Sequence, residues 1–180
     1  MRKTTPSSRE ERRNALSGAL QKNPCLTDAD LARMFGVSVA TIRLDRQALR
    51  IPQMRSRILD AVASFRSDGQ EGLVVLDVEQ GRKGFALFCP TKEMANRDGF
   101  TGAEHLYGAA AELAQRIEGE RFTPVQVGNI KYKIPVYPGM SLIAKGVITR
   151  FRGDRKYIYI SFFSQADEVF RAKFIMEVAK

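Results

Sequence analysis

Two periodicities divide this 180-residue chain. Up to about residue 66, apolar residues recur three and four apart, the spacing of a helix with one buried face. Leu16 and Leu20 make one such pair and Leu31 and Phe35 a second. Ile42 and Leu49 line a third stretch, and Met54, Ile58, Ala61, Val62 and Phe65 a fourth. From Leu73 the pattern becomes short β-type runs, "LVVLDVEQ" and "KGFALFCP", separated by Gly81. One Ala-rich helical stretch, Gly102 to about Ile117, interrupts the strands, with apolar residues at 103, 106, 110, 113, 114 and 117. Three strand segments follow: "PVQVGNIKYKIPV", "SLIAKGVITRF" and "KYIYISFFSQADEVFRAKFIMEVA". The last divides into a hairpin near Gln165–Glu168. Strands flanking one helix predict an antiparallel sheet packed on that helix, behind an all-α N-terminal part; the class is α+β. The expected divisions are residues 1–51, 52–68 and 69–180.

The turn chemistry sharpens the first part. Ser8 with Glu11 forms a capping box, and Pro24 ends the helix that follows. Thr27 caps the second helix, whose first turn is acidic, and Gly36 suits the positive-φ residue that ends it. Ser38 caps the third. Two helices joined tightly at Gly36-Val37-Ser38, with small Ala32 where they cross, predict a helix-turn-helix. On its second helix Thr41, Arg43, Leu44 and Gln47 point away from the Ile42 face, toward base edges. Ser38, Arg46 and Arg50 are placed for phosphates.

Charge supports this reading. The net charge of +9 is uneven: residues 1–66 hold 13 Lys and Arg against 6 Asp and Glu, whereas residues 67–180 hold 16 against 14. A basic third ahead of a nearly neutral remainder implies a polyanionic partner, here double-stranded DNA. The helix of Met54, Ile58, Val62 and Phe65 lies between the two parts, behind Pro52. It either packs permanently in one place or moves between docking sites and couples them.

Other chemistry is sparse. Cys25 and Cys89 match no metal-ligand spacing and read as reduced packing thiols. No apolar run is long enough to span a membrane, and "MRKTTPSSREERR" is no signal peptide, so a cytoplasmic location without membrane or metal is expected. No phosphate-binding glycine loop or nucleophile triad is present. Lys131, Lys133, Arg150, Arg152, Arg155 and Lys156 could meet the phosphates of a nucleotide-bearing ligand; each alone is more often an ordinary exposed sheet residue.

"IKYKIPVYPGMSLIAKGVI" resembles the recurring strand, Pro-Gly turn and long strand of hot-dog domains, which bind or act on acyl thioesters, usually as dimers. Joined to "FGVSVATIRLDR" and an amphipathic linker, it is similar, from Arg9 to Met176, to the FapR family of fatty-acid and phospholipid biosynthesis repressors. The resemblance implies a homodimer without a cofactor that leaves its operator when malonyl-CoA or a related acyl-CoA enters the hot-dog domain. It also implies that the linker helices then change docking partner.

The family's motif at the head of the central helix is Arg-Gly-His-His-Leu-Phe-Ala-Gln-Ala-Asn. His105, Leu106 and Tyr107 keep that pattern, but its arginine falls on Gly102 and its asparagine on Ala111. Arg97, Phe100, Gly102, Ala103, Glu104, His105 and Ala111 are therefore the expected ligand positions. Either Arg97 substitutes as the carboxylate's partner or the effector has no free carboxylate. Glu104 and His105 also admit an acyl-CoA thioesterase with an appended DNA reader. Adjacent helical residues diverge by about 100°, which counts against joint catalysis, so no catalytic residue is expected. A third reading keeps the hot-dog domain as a dimerisation scaffold only.

Overall fold

The structure is a computed structural model that describes residues 8–67, 69, 71–119 and 127–177. The chain forms two compact units, one running to Ser64 and the other starting at Phe65.

The first unit holds α1 (Arg9–Lys22), α2 (Asp28–Phe35), α3 (Val39–Ala48) and the start of α4 (Met54–Ser67). Their ends follow the local chemistry. Ser8 with Glu11 and Thr27 with Asp30 form reciprocal capping boxes, and Ser38 Oγ accepts from the Thr41 N–H. Gly36 closes α2 at φ 67°, a left-handed conformation that costs glycine nothing. Leu16, Leu20, Leu31, Ala32, Phe35 and Ile42 are buried together as the core of this unit.

The second unit wraps a six-stranded antiparallel sheet around α5 (Ala103–Glu118). Its strands are β1 (Gly72–Glu79), β2 (Lys83–Cys89), β3 (Val127–Tyr132), β4 (Leu142–Arg152), β5 (Arg155–Ser164) and β6 (Asp167–Glu177). The spatial order is β1-β2-β4-β5-β6-β3, which leaves β3 on one edge with all six residues exposed. Small residues let the helix settle close. A Cβ on Gly146 would lie 2.3 Å from Ile117 Cδ1 and 2.6 Å from Ile160 Cδ1. Leu106, Ala110, Leu113, Ala114 and Ile117 pack against Phe162, Phe170 and Phe174 of β5 and β6. A 3-10 turn at Lys92–Met94 precedes the helix, and the β5–β6 hairpin turns at Gln165, whose φ is 54°.

Candidate nucleic-acid interface and ligand site

In the first unit α3 stands on a framework of ion pairs. Asp45 is 1% exposed and accepts from Arg12 Nε at 2.7 Å and Arg13 Nε at 2.9 Å. Burial alone would push its carboxyl up; the hydrogen bonds and charges of Arg12 and Arg13 outweigh that and hold it below its ordinary value. Arg46 is 6% exposed and forks onto Asp28 at 3.0 and 3.2 Å, with a third bond to the Ile51 carbonyl. Its guanidinium thus braces α3 against α2, a burial that its expected phosphate position does not require.

The remaining positions on α3 face outward. Leu44 is 61% exposed, and Arg43 and Gln47 are exposed beside it. Thr41 is half-buried, its hydroxyl 2.9 Å from Ser38 Oγ. Arg43 Nε lies 3.6 Å from Asp28, which restrains the side chain while leaving it 66% exposed. Arg50 is exposed and adopts φ 54° just past the helix. An open groove of about 640 Å³ runs beside this face, lined by Arg43, Arg46, Gln47, Gln53 and Met54 among others.

α4 begins docked within the first unit. Ile58 is 4% exposed, and Met54 and Val62 are half-buried. The Phe65 side chain lies outside the described residues. Arg57 is the residue that sequence reasoning missed: it reads as part of the polar face, yet it is only 8% exposed. It donates to three main-chain carbonyls, Pro24 at 3.2 Å, Pro52 at 2.6 Å and Leu26 at 2.6 Å. Burial and the neighbouring Arg46 charge press its pKa below the usual arginine value. The signal was available in part, because Arg57 directly precedes buried Ile58.

In the second unit Phe100 and Gly102 to His105, among the expected ligand positions, lie at or next to the head of α5, whereas Ala111 lies two turns along it. Gly102 is buried and gives the helix no side-chain cap. The Glu104 carboxylate folds back over it, so that a Cβ at position 102 would sit 2.2 Å from Glu104 Oε1. Glu104 Oε1 and His105 Nε2 approach to 3.8 Å, with both side chains well exposed. Thr101 is 1% exposed and its Oγ1 has no hydrogen-bond partner. Tyr132 donates its hydroxyl proton to the Thr101 carbonyl at 3.0 Å and accepts from the Val136 N–H, which fixes the approach to the helix. Phe100 packs on Tyr137 with ring centroids 5.2 Å apart. Arg97 stands apart, exposed on the tight loop closed by the Ala95–Thr101 bridge. Ala103 and Ala111 are half-buried on α5.

Among the described residues no group of His, Cys, Asp and Glu could hold a metal ion, and no helix is long and apolar enough to cross a membrane.

No protein-family model matches the chain. It is 37% identical over 176 residues to Transcription factor FapR of Thermoanaerobacter sp. strain X514, covering 94% of this chain and 88% of that relative. The chain belongs to the FapR family of transcription factors. A FapR of Caldanaerobacter subterraneus is 38% identical over the same span, and that of Halalkalibacterium halodurans 29%, covering 93% of this chain and 94% of the relative. At 93–94% coverage these alignments take in residues of both units. The solved structures below align over about three-fifths of this chain. The protein smu.793 of Streptococcus mutans, solved bound to acetyl-CoA, aligns with a TM-score of 0.56 at 18% identity, over 61% of this chain and 90% of that one. The protein PH1136 of Pyrococcus horikoshii aligns at 0.55 and 19%, over 61% and 84%. The sheet around α5 is a hot-dog fold.

Proposed function

We propose that this protein is a FapR-type repressor of fatty-acid and phospholipid biosynthesis genes, acting in the cytoplasm as a homodimer. An acyl-CoA thioester, malonyl-CoA or a relative of it, releases it from its operator. The observation that carries the reading is the outward row of Thr41, Arg43, Leu44 and Gln47 on a helix pinned from behind by buried Asp45 and Arg46. These four residues contact bases, Ser38 and Arg50 contact phosphates, and Arg46 holds the helix at its angle. Regulation needs a ligand that prefers the non-binding state, since equal affinity for both states shifts nothing. α4 is the coupling element, with Met54, Ile58, Val62 and Phe65 as its apolar contacts. The exposed edge of β3 supplies unpaired backbone groups for a second copy.

The head of α5 supports the ligand site. Its uncapped N-terminus and the unpartnered Thr101 hydroxyl suit a thioester oxygen. Between malonyl-CoA and a related acyl-CoA, Glu104 folded over Gly102 favours the one without a free carboxylate, because two anions would otherwise share that space. Fluorescence anisotropy on the upstream DNA of lipid-synthesis genes, at fixed salt, tests the whole reading. Release by one thioester and not by free coenzyme A supports it. Steady hydrolysis abolished by Glu104→Ala would make the chain a thioesterase instead. Tight binding indifferent to every thioester would leave a scaffold.

A further inference from the structure

The face of the sheet opposite α5 carries an ordered array of cations. Strand register defines it. Lys145 of β4 pairs with Ser161 of β5, Ser161 with Arg171 of β6, and Arg171 with Lys131 of β3. The next row is Val147, Tyr159, Lys173 and Asn129, and the one after it Arg150, Tyr157, Ile175 and Val127. Residues directly opposite share a face, and the alternate residues Ile160, Ala172 and Phe174 are buried against α5. Five cations thus stand on a grid about 4.8 Å across strands and about 6.8 Å along them.

The tyrosines hold this array in shape. Arg150 Cζ lies 4.1 Å from the Tyr157 ring centroid, and Lys173 Nζ lies 5.6 Å from Tyr157 and 5.8 Å from Tyr159. Cations parked over rings lose rotamer freedom while keeping their charge. Among the described residues one carboxylate, Glu168, is bonded to these rows; it is taken up by Arg171, Lys133 and Ser161. Lys131 and Lys145 are exposed, and a cavity of about 470 Å³ opens between Asn129, Lys131, Tyr159, Arg171 and Lys173.

We infer that this face is a second, sequence-independent contact for the phosphate backbone of duplex DNA, resting on the reading of the first unit as the operator reader. Protein partners are less suited to it, because interface centres are depleted in lysine and enriched in apolar anchors. Phosphates suit it, because a regular polyanion rewards many cations at fixed spacing. The first unit keeps DNA at high effective concentration near the second, so individually weak contacts suffice.

The test uses the full-length protein carrying Lys131→Gln, Lys145→Gln and Lys173→Gln, with anisotropy on operator and non-operator duplexes across a salt series. The expected result is a fall of about 2 to 3 per contacting protomer in the slope of log affinity against log salt, equal for both duplexes, with their affinity ratio unchanged. The matching Lys→Arg triple variant keeps the wild-type slope. Thermal melting checks folding, and if the triple variant fails to fold, Lys131→Gln with Lys145→Gln, both exposed, lowers the slope by about 2 per contacting protomer. An unchanged slope in a folded variant overturns the inference. So does an unchanged slope with weaker binding of free coenzyme A, which would assign the array to a nucleotide. Wild-type protein that binds no duplex at all removes the operator reading and this contact with it.

Discussion

Replacing Arg57 with methionine tests whether α4 is latched to the first unit by main-chain bonds. The side chain donates to the carbonyls of Pro24, Leu26 and Pro52, at 2.6 to 3.2 Å, from a site only 8% exposed. Hydrogen bonds to a charged partner contribute about 1.5–3 kcal/mol each, and three from one guanidinium are not additive. Methionine refills the stem's volume, so the loss is the polar one, about 2–4 kcal/mol. That free energy corresponds to about 30- to 1000-fold more frequent opening of the helix start. Hydrogen–deuterium exchange of the amides in residues 57–64 reads it directly, against α1 and α5 as internal references. Faster exchange confined to α4 is the expected outcome. Protection within threefold of wild type would refute the latch, because the three bonds would then contribute almost nothing.

Three further outcomes follow from the same geometry. Glu168, its side chain 14% exposed, is pushed up by burial but held at about 2 by Arg171, Lys133 and Ser161. Its contribution to the second unit, on the order of 3 kcal/mol, is therefore fully present above pH about 4.5 and lost as pH falls toward 2; Glu168→Gln should remove that pH dependence in urea titrations. Gly102→Arg meets no backbone strain at φ −59°, and Glu104, 73% exposed, can swing aside, so malonyl-CoA binding by calorimetry should tighten about 10- to 100-fold while acetyl-CoA changes little. Gly36→Ala forces a Cβ into φ 67°, lowering the stability of the first unit by about 1–2 kcal/mol and weakening operator binding in the same preparation.

The elements most legible in the sequence are those set by near neighbours. The capping box at Ser8, the Thr27 cap, the left-handed Gly36 and the Ser38 cap act within three residues, and each stands where composition places it; the reciprocal bond between Asp30 and Thr27 is the structure's addition. The helix expected from Gly102 to about Ile117 runs Ala103–Glu118, and the final hairpin turns at Gln165 as its composition suggests. Among the described residues of "PVQVGNIKYKIPV" the strand is Val127–Tyr132, which stops ahead of Pro135, a residue that cannot donate to a ladder. Long-range pairing was not legible. Arg12 finds Asp45 across 33 positions and Arg46 finds Asp28 across 18. Periodicity says which side of a helix is apolar; it does not say which arginine on the other side is claimed by a neighbour. Nor does it place β3 beside β6, a pairing between strands that are not consecutive. At the ligand site, the loss of an arginine at Gly102 could be read directly, whereas the carboxylate filling the vacated space could not.

The three hydrogen bonds of Arg57 all end on backbone oxygens. A carbonyl is retained whatever residue owns it, so positions 24, 26 and 52 are free to drift without breaking the latch. Correlated substitution, the usual trace of a contact across relatives, would therefore leave no mark here. Beside the apolar contact of Ile58, the polar hold described here passes through position 57, and a lineage could lose or regain it by a single codon change there.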